Sequence, residues 1–170
     1  GGKVVFNLTD MAVKTNANEF LRLTEISTQL LAKESRRVGN LRITGRLVEV
    51  PPVGEAIIVG DIHGDLESLT HILENSNFME KAKGGENILL IFLGDYGDRG
   101  SYSPEVYYIV LKLKELFPER VVLMRGNHEG PDDLLAYPHD LPIHLNVKFG
   151  ERGPNVYSRL RELFNYLYTG

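Results

Sequence analysis

The chain reads as an α/β protein on three observations. Three short aliphatic runs, Ala56-Ile57-Ile58-Val59, Ile88-Leu89-Leu90-Ile91-Phe92-Leu93 and Val121-Val122-Leu123-Met124, have the length and composition of strands covered on both faces. The first two lead into helical patterns, and strands joined by helices pair in parallel. Each run ends in a polar motif that opens on glycine: Gly60-Asp61-Ile62-His63-Gly64, Gly94-Asp95-Tyr96-Gly97-Asp98-Arg99-Gly100 and Gly126-Asn127-His128-Glu129. Loops at the carboxyl ends of parallel strands share a crevice, so Asp61, His63, Asp95, Asp98, Arg99, Asn127 and His128 are predicted to converge.

The elements follow in order. Apolar residues at Phe20, Leu23, Ile26, Leu30 and Leu31 predict an amphipathic helix from Asn16 to Val38 that docks on the core. Asn16 and Glu19 form its capping pair and Gly39 its stop. Residues 41–50 look extended, with Gly45 interrupting, and Pro51-Pro52-Val53-Gly54 breaks the chain before the first run. Leu66, Leu69, Ile72 and Leu73 predict a helix from Asp65 to Asn77, and Lys81-Ala82-Lys83-Gly84-Gly85 reads as a turn. The next helix opens at Ser103-Pro104-Glu105, with the serine as cap and the proline in the first helical position, and runs to Phe117 before Pro118. Residues 130–153, rich in Pro, Gly, Asp and His, read as irregular. A last helix spans Pro154 to Leu167. No repeat or linker appears, so the expected organisation is one unit, 1–170: an amino-terminal helix and extended segment (1–50), a βαβαβ core (55–130), then an irregular segment and helix (131–170).

At 170 residues, 42% apolar and 25% charged, the composition is that of an ordinary globular domain. A net charge of -4 with dispersed lysine and arginine argues against a nucleic-acid surface. No stretch approaches the roughly 18 to 20 apolar residues of a membrane span, and no signal-peptide layout opens the chain, so no membrane partner and a cytoplasmic setting are the expectation. With no cysteine, a metal must be held by oxygen and nitrogen.

In this order the three motifs resemble the metal-dependent phosphoprotein phosphatases, the PPP family of serine/threonine phosphatases. That family's pattern is Gly-Asp-x-His-Gly, Gly-Asp-x-x-Asp-Arg-Gly and Gly-Asn-His-Glu, and every specified position is filled here. Gly97, inside the second motif, resembles the archaeal members. The resemblance runs from about Ile57 to the end of the chain. It implies a metallophosphatase β-sandwich flanked by helices, of which this chain supplies the first βαβαβ half. The family's carboxyl half carries two further histidines and a second phosphate-binding arginine. The chain is therefore expected to be a fragment with an uncovered apolar sheet edge and little or no activity by itself.

The implied cofactors are two divalent metal ions, manganese, iron or zinc. Asp61 and His63 would hold the first, Asp95 would bridge because one carboxylate has two oxygens to share, and Asn127 would bind the second through its amide oxygen. Such a pair activates water and neutralises phosphoryl oxygens, as so slow a hydrolysis requires. Arg99 offers a planar fork to two phosphate oxygens. His128 is placed to protonate the departing serine or threonine oxygen, with Asp98 holding its other nitrogen. The implied reaction is hydrolysis of a phosphorylated protein by metal-activated hydroxide, with a regulatory subunit as a candidate partner.

Other readings stand beside these. The same fold serves enzymes acting on nucleotides or small phosphates, and a chain lacking half the family's domain could be an inactive scaffold with one metal site. Asp98 and Arg99 could pair with each other as a structural salt bridge. Arg125 could make a buried ion pair or a phosphate contact, and Glu129 could cap or orient. His71 reads as a surface or packing residue. His139 and His144 are the candidates for substitute ligands.

Overall fold

A computed structural model describes residues 2–169. Helix α1 (Gly2–Lys14) and helix α2 (Ala17–Lys33) precede strands β1 (Arg36–Val38), β2 (Leu41–Thr44) and β3 (Leu47–Glu49). The core then runs β4 (Glu55–Val59), α3 (Leu66–Ser76), α4 (Phe78–Lys83), β5 (Ile88–Phe92), α5 (Ser103–Leu116) and β6 (Val121–Leu123), followed by α6 (Leu141–Phe149) and α7 (Gly153–Phe164). Strands β4, β5 and β6 form a parallel sheet in that order, and β1, β2 and β3 an antiparallel one. After α7 the chain returns beside β6, where Tyr168 bridges Met124 in parallel. Among the described residues, no helix is long and apolar enough to cross a membrane.

Register explains which side of the parallel sheet is core. Val59 pairs with Phe92, and Leu90 and Phe92 pair with Val121 and Leu123, so these five share one face, and all five are buried. Helix α5 packs against this layer and against α1, α2, α3 and α6. It is buried nearly all round, as a helix enclosed by neighbours must be. The opposite face is open at β4, where Ile58 is 63% exposed. The expectation of cover on both faces therefore fails for β4, a border strand of the sheet.

Five local readings are corrected. The helix expected to reach Val38 ends at Lys33: Glu34 is extended, Arg36 turns to φ +57°, and residues 36–38 pair with β2. Gly39, with φ +58°, opens a hairpin and does not stop a helix. Asn16 does cap α2, accepting from the Glu19 N–H at 2.9 Å, but the Glu19 carboxylate binds the Thr15 hydroxyl and not the cap. Lys81 to Lys83 belong to α4, and the turn begins only at Gly84. Ser103 is the first residue of α5 and not its cap. Its hydroxyl is occupied with the Asp98 N–H and the Gly100 carbonyl.

Besides α4, two helices were not anticipated. In α1, Val5, Leu8 and Ala12 are buried at helical spacing. In α6, Leu141 and Leu145 face the core, although the surrounding Pro, His and Gly residues imitate a loop.

Candidate metal centre

The carboxyl ends of β4, β5 and β6 lie side by side, and the backbone ties their motifs together. The N–H groups of Ile62 and His63 both donate to the Asp95 carbonyl (3.1 and 2.9 Å), Gly64 N–H to Tyr96 O (2.8 Å), and Gly100 N–H to His63 O (2.7 Å). Glycine is required where the loops touch. A Cβ on Gly126 would lie 2.5 Å from the Asp95 nitrogen, and one on Gly94 would run into the Gly126 nitrogen. Four motif residues adopt positive φ without being glycine: His63 (46°), Asp95 (53°), Asp98 (67°) and Arg99 (70°). Each costs on the order of 1–3 kcal/mol, which the loop hydrogen bonds must offset.

This backbone brings one ligand atom each from Asp61, His63 and Asp95 within 4.8 Å of one another. His63 Nδ1 lies 2.9 Å from the Gly97 carbonyl, an acceptor only, so the proton resides on Nδ1. Nε2 keeps its lone pair, 3.6 Å from Asp61 Oδ2. Asp95 Oδ1 accepts the His128 N–H at 2.9 Å.

The Asn127 carboxamide stands over the Asp95 carboxylate with its oxygen facing only acceptors. Rotating the amide would place its nitrogen 2.9 and 2.8 Å from the two Asp95 oxygens. Unprotonated oxygens crowded in this way are what a cation between them would relieve. Two carboxylates, an imidazole nitrogen and an amide oxygen, without thiolate, fit a divalent ion of the manganese, iron or zinc kind.

Beside this cluster, His128 and Asp98 form a buried pair, Nδ1 to Oδ2 at 2.8 Å. The His128 ring packs edge-to-face on His63 with centroids 4.7 Å apart. Asp98 is fully engaged. Oδ1 accepts the N–H groups of Asp140 and Leu141, both at 2.8 Å, and Oδ2 also faces His139 Nδ1 at 3.3 Å. Its side-chain partners are thus imidazoles, and the alternative Asp98–Arg99 salt bridge is not among those of the described residues. The Arg99 side chain is exposed, and its backbone N–H donates to Asp140 Oδ2 at 3.0 Å.

Glu129 orients and does not ligate. Oε1 accepts from the N–H groups of Asp95 (2.6 Å) and Gly126 (3.1 Å), and Oε2 from Tyr96 N–H and the Tyr107 hydroxyl (both 3.2 Å). Burial pushes its carboxyl up to about 7, while the three N–H groups pull it down. The second and third motifs are thereby pinned by one side chain.

The structure places the other candidates away from the ligand cluster. Arg125 donates from Nε to the Glu129 carbonyl at 2.6 Å, and among the described residues it makes no ion pair. His71 is exposed on α3 beside Asn75. His144 is half-buried on α6. His139 reaches Asp98, and its Nε2 lies 2.7 Å from the Tyr157 hydroxyl. Asp140 escaped the sequence reading, although Asp-Leu-Pro is a usable helix-start signal.

The family profile described as calcineurin-like phosphoesterase matches residues 56–170. The chain belongs to that family. A calcineurin-like phosphoesterase domain accounts for the parallel sheet with its functional loops at one end. The chain is 34% identical over 119 residues to serine/threonine-protein phosphatase 7 of Arabidopsis thaliana, covering 70% of this chain and 27% of that protein. It is 39% identical over 114 residues to the serine/threonine-protein phosphatase 4 catalytic subunit of Saccharomyces cerevisiae, covering 66% and 33%. The chain thus spans about a third or less of the length of these relatives. A solved Saccharomyces cerevisiae protein serine/threonine phosphatase, described as similar to human phosphatase PP5, superposes with a TM-score of 0.64 at 21% identity. That likeness of fold covers 91% of this chain and 45% of that one.

Proposed function

We propose that this chain carries the metal-binding half of a serine/threonine protein phosphatase domain. The observation that carries the proposal is the buried His128–Asp98 pair set directly against the Asp61, His63, Asp95 and Asn127 donors. Serine/threonine phosphatases among the relatives support the substrate class.

Asp61, His63 and Asp95 would hold one divalent ion, and Asp95 with Asn127 would contribute to a second. Bound there, such ions supply Lewis acidity toward water and phosphoryl oxygen. The remaining roles fall to the chain itself. Arg99, exposed next to Asp98, is free to fork onto phosphate oxygens, geometry that suits a monoester dianion. His128 Nδ1 is committed to Asp98, which leaves Nε2 to deliver a proton. In the net reaction the hydroxyl of water adds to phosphorus, the phosphorus–oxygen bond to serine or threonine breaks, the departing oxygen takes the Nε2 proton, and the other proton of the water restores Nε2. Manganese, iron or zinc as the ion, a regulatory subunit as a partner and a cytoplasmic setting belong to the same proposal.

The test is turnover of a phosphoserine peptide by the purified protein, with manganese, iron and zinc supplied in turn and dinucleoside polyphosphates assayed in parallel. Any turnover is expected to favour the peptide. Preference for the polyphosphates would move the reading to nucleotide hydrolysis, and no turnover with any ion would support a scaffold.

A further inference from the structure

We propose that His139, backed by Tyr157, is a positioning residue that holds Asp98 in register with His128; this rests on the function proposed above. A carboxylate has about four lone-pair directions, and Asp98 spends all of them. Oδ1 takes the Asp140 and Leu141 N–H groups at the start of α6, and Oδ2 takes His128 and His139.

The protonation pattern along this chain is set by its ends. Asp98 can only accept, so His139 Nδ1 bears hydrogen. His139 Nε2 then accepts the Tyr157 O–H at 2.7 Å, and Tyr157 is anchored on α7. The series Tyr157, His139, Asp98, His128 therefore runs from α7 across the start of α6 to the ligand cluster. Without its fourth donor a carboxylate can swing. Asp98 in addition sits at φ +67°, a backbone state that its contacts must maintain. The His139 arm prevents a rotation that would turn Oδ2 away from His128 and let Nε2 drift from the departing oxygen. Asp140 works on the same segment from the other side, tying the Arg99 N–H to α6.

Leaving-group dependence separates this role from a general loss of structure. Serine alkoxide needs the proton from His128, whereas 4-nitrophenolate leaves without much help. For His139→Ala the ratio of kcat on a phosphoserine peptide to kcat on 4-nitrophenyl phosphate should fall about tenfold, a fraction of the full general-acid contribution. KM should hold. His139→Asn, which keeps a donor near the Nδ1 position, should restore most of the ratio, and Tyr157→Phe should lose part of it. Equal losses on both substrates, or an unchanged ratio, would overturn the proposal.

A second measurement does not need turnover. The low-field His128 Nδ1–H proton in NMR spectra should be protected from exchange in the wild type and in His139→Asn, and exposed in His139→Ala. Undiminished protection in His139→Ala refutes the positioning role. Where wild-type protein turns over neither phosphoester, this measurement alone decides the positioning role.

Discussion

The buried ion pair between Lys114 and Glu34 makes a sharp test of how the fold is held together. The two side chains are 1% and 7% exposed, and the ammonium donates to Glu34 Oε2 at 3.0 Å and to the Pro118 and Val121 carbonyls at 2.8 Å each. The Tyr168 hydroxyl donates to the other Glu34 oxygen at 3.1 Å. The network thus joins the end of α2, α5, β6 and the returning carboxyl segment. Lys114→Met fills similar volume and removes the charge. Two carbonyls then lose their donor, at about 1–3 kcal/mol each, and Glu34 keeps a buried charge without its cation. Recovered ammonium desolvation offsets part of this, so a net loss of about 3–5 kcal/mol is expected. For a chain of this size that lowers Tm by roughly 6–20 °C. Adding Glu34→Gln removes the orphaned charge and should regain on the order of 2 kcal/mol. Urea unfolding followed by circular dichroism reads both values, with an unchanged slope as the check on comparability. If Lys114→Met loses less than about 1 kcal/mol, or the double variant is no more stable than the single one, the pair is not what joins these elements.

Further expectations concern pH and the centre itself. Burial holds the Lys114 ammonium below 10.5, so as pH rises the folded state releases this proton before the unfolded chain does. The stability of wild type relative to Lys114→Met should therefore climb with pH between the lowered value and 10.5; Tyr168, pushed up by burial, titrates in both proteins and cancels. A pH-independent difference would contradict this. Gly126→Ala puts a methyl 2.7 Å from the Asp95 carboxyl carbon and should weaken Mn²⁺ binding at least about tenfold by calorimetry, whereas unchanged affinity would mean that the loops part freely. His128→Ala should cut phosphopeptide turnover by about 10²–10⁴ while keeping its Mn²⁺, and Asp95→Asn should lose both. Full Mn²⁺ occupancy in Asp95→Asn would remove Asp95 from the ligand set.

The sheet and the convergence of Asp61, His63 and Asp95 were legible because both follow from local patterns. Aliphatic runs mark the strands, and a strand that ends in Gly-Asp must place the aspartate at the sheet's edge. Glu129 was legible only as a residue that caps or orients, because its four donors come from residues 95, 96, 107 and 126, brought near by the fold. The hairpin at residues 36–44 was masked because Glu34 leaves the helix for a partner 80 positions away, a pull absent from any window of sequence. Helix α6 was hidden by composition. Its cap Asp140 and first residue Leu141 supply N–H groups to Asp98, so the segment read as irregular carries one side of the support of the His128–Asp98 pair.

Positive φ at residues 63, 95 and 98 limits what chemistry could ever occupy them. Histidine, aspartate, asparagine and glycine visit that backbone region most readily, while β-branched and bulky side chains are outliers there. Glutamate or cysteine placed at these positions would meet the added conformational cost before its donor atom counted. The loop geometry therefore acts as a filter on composition, holding the donors to short carboxylates, carboxamides and imidazole whichever ion is supplied.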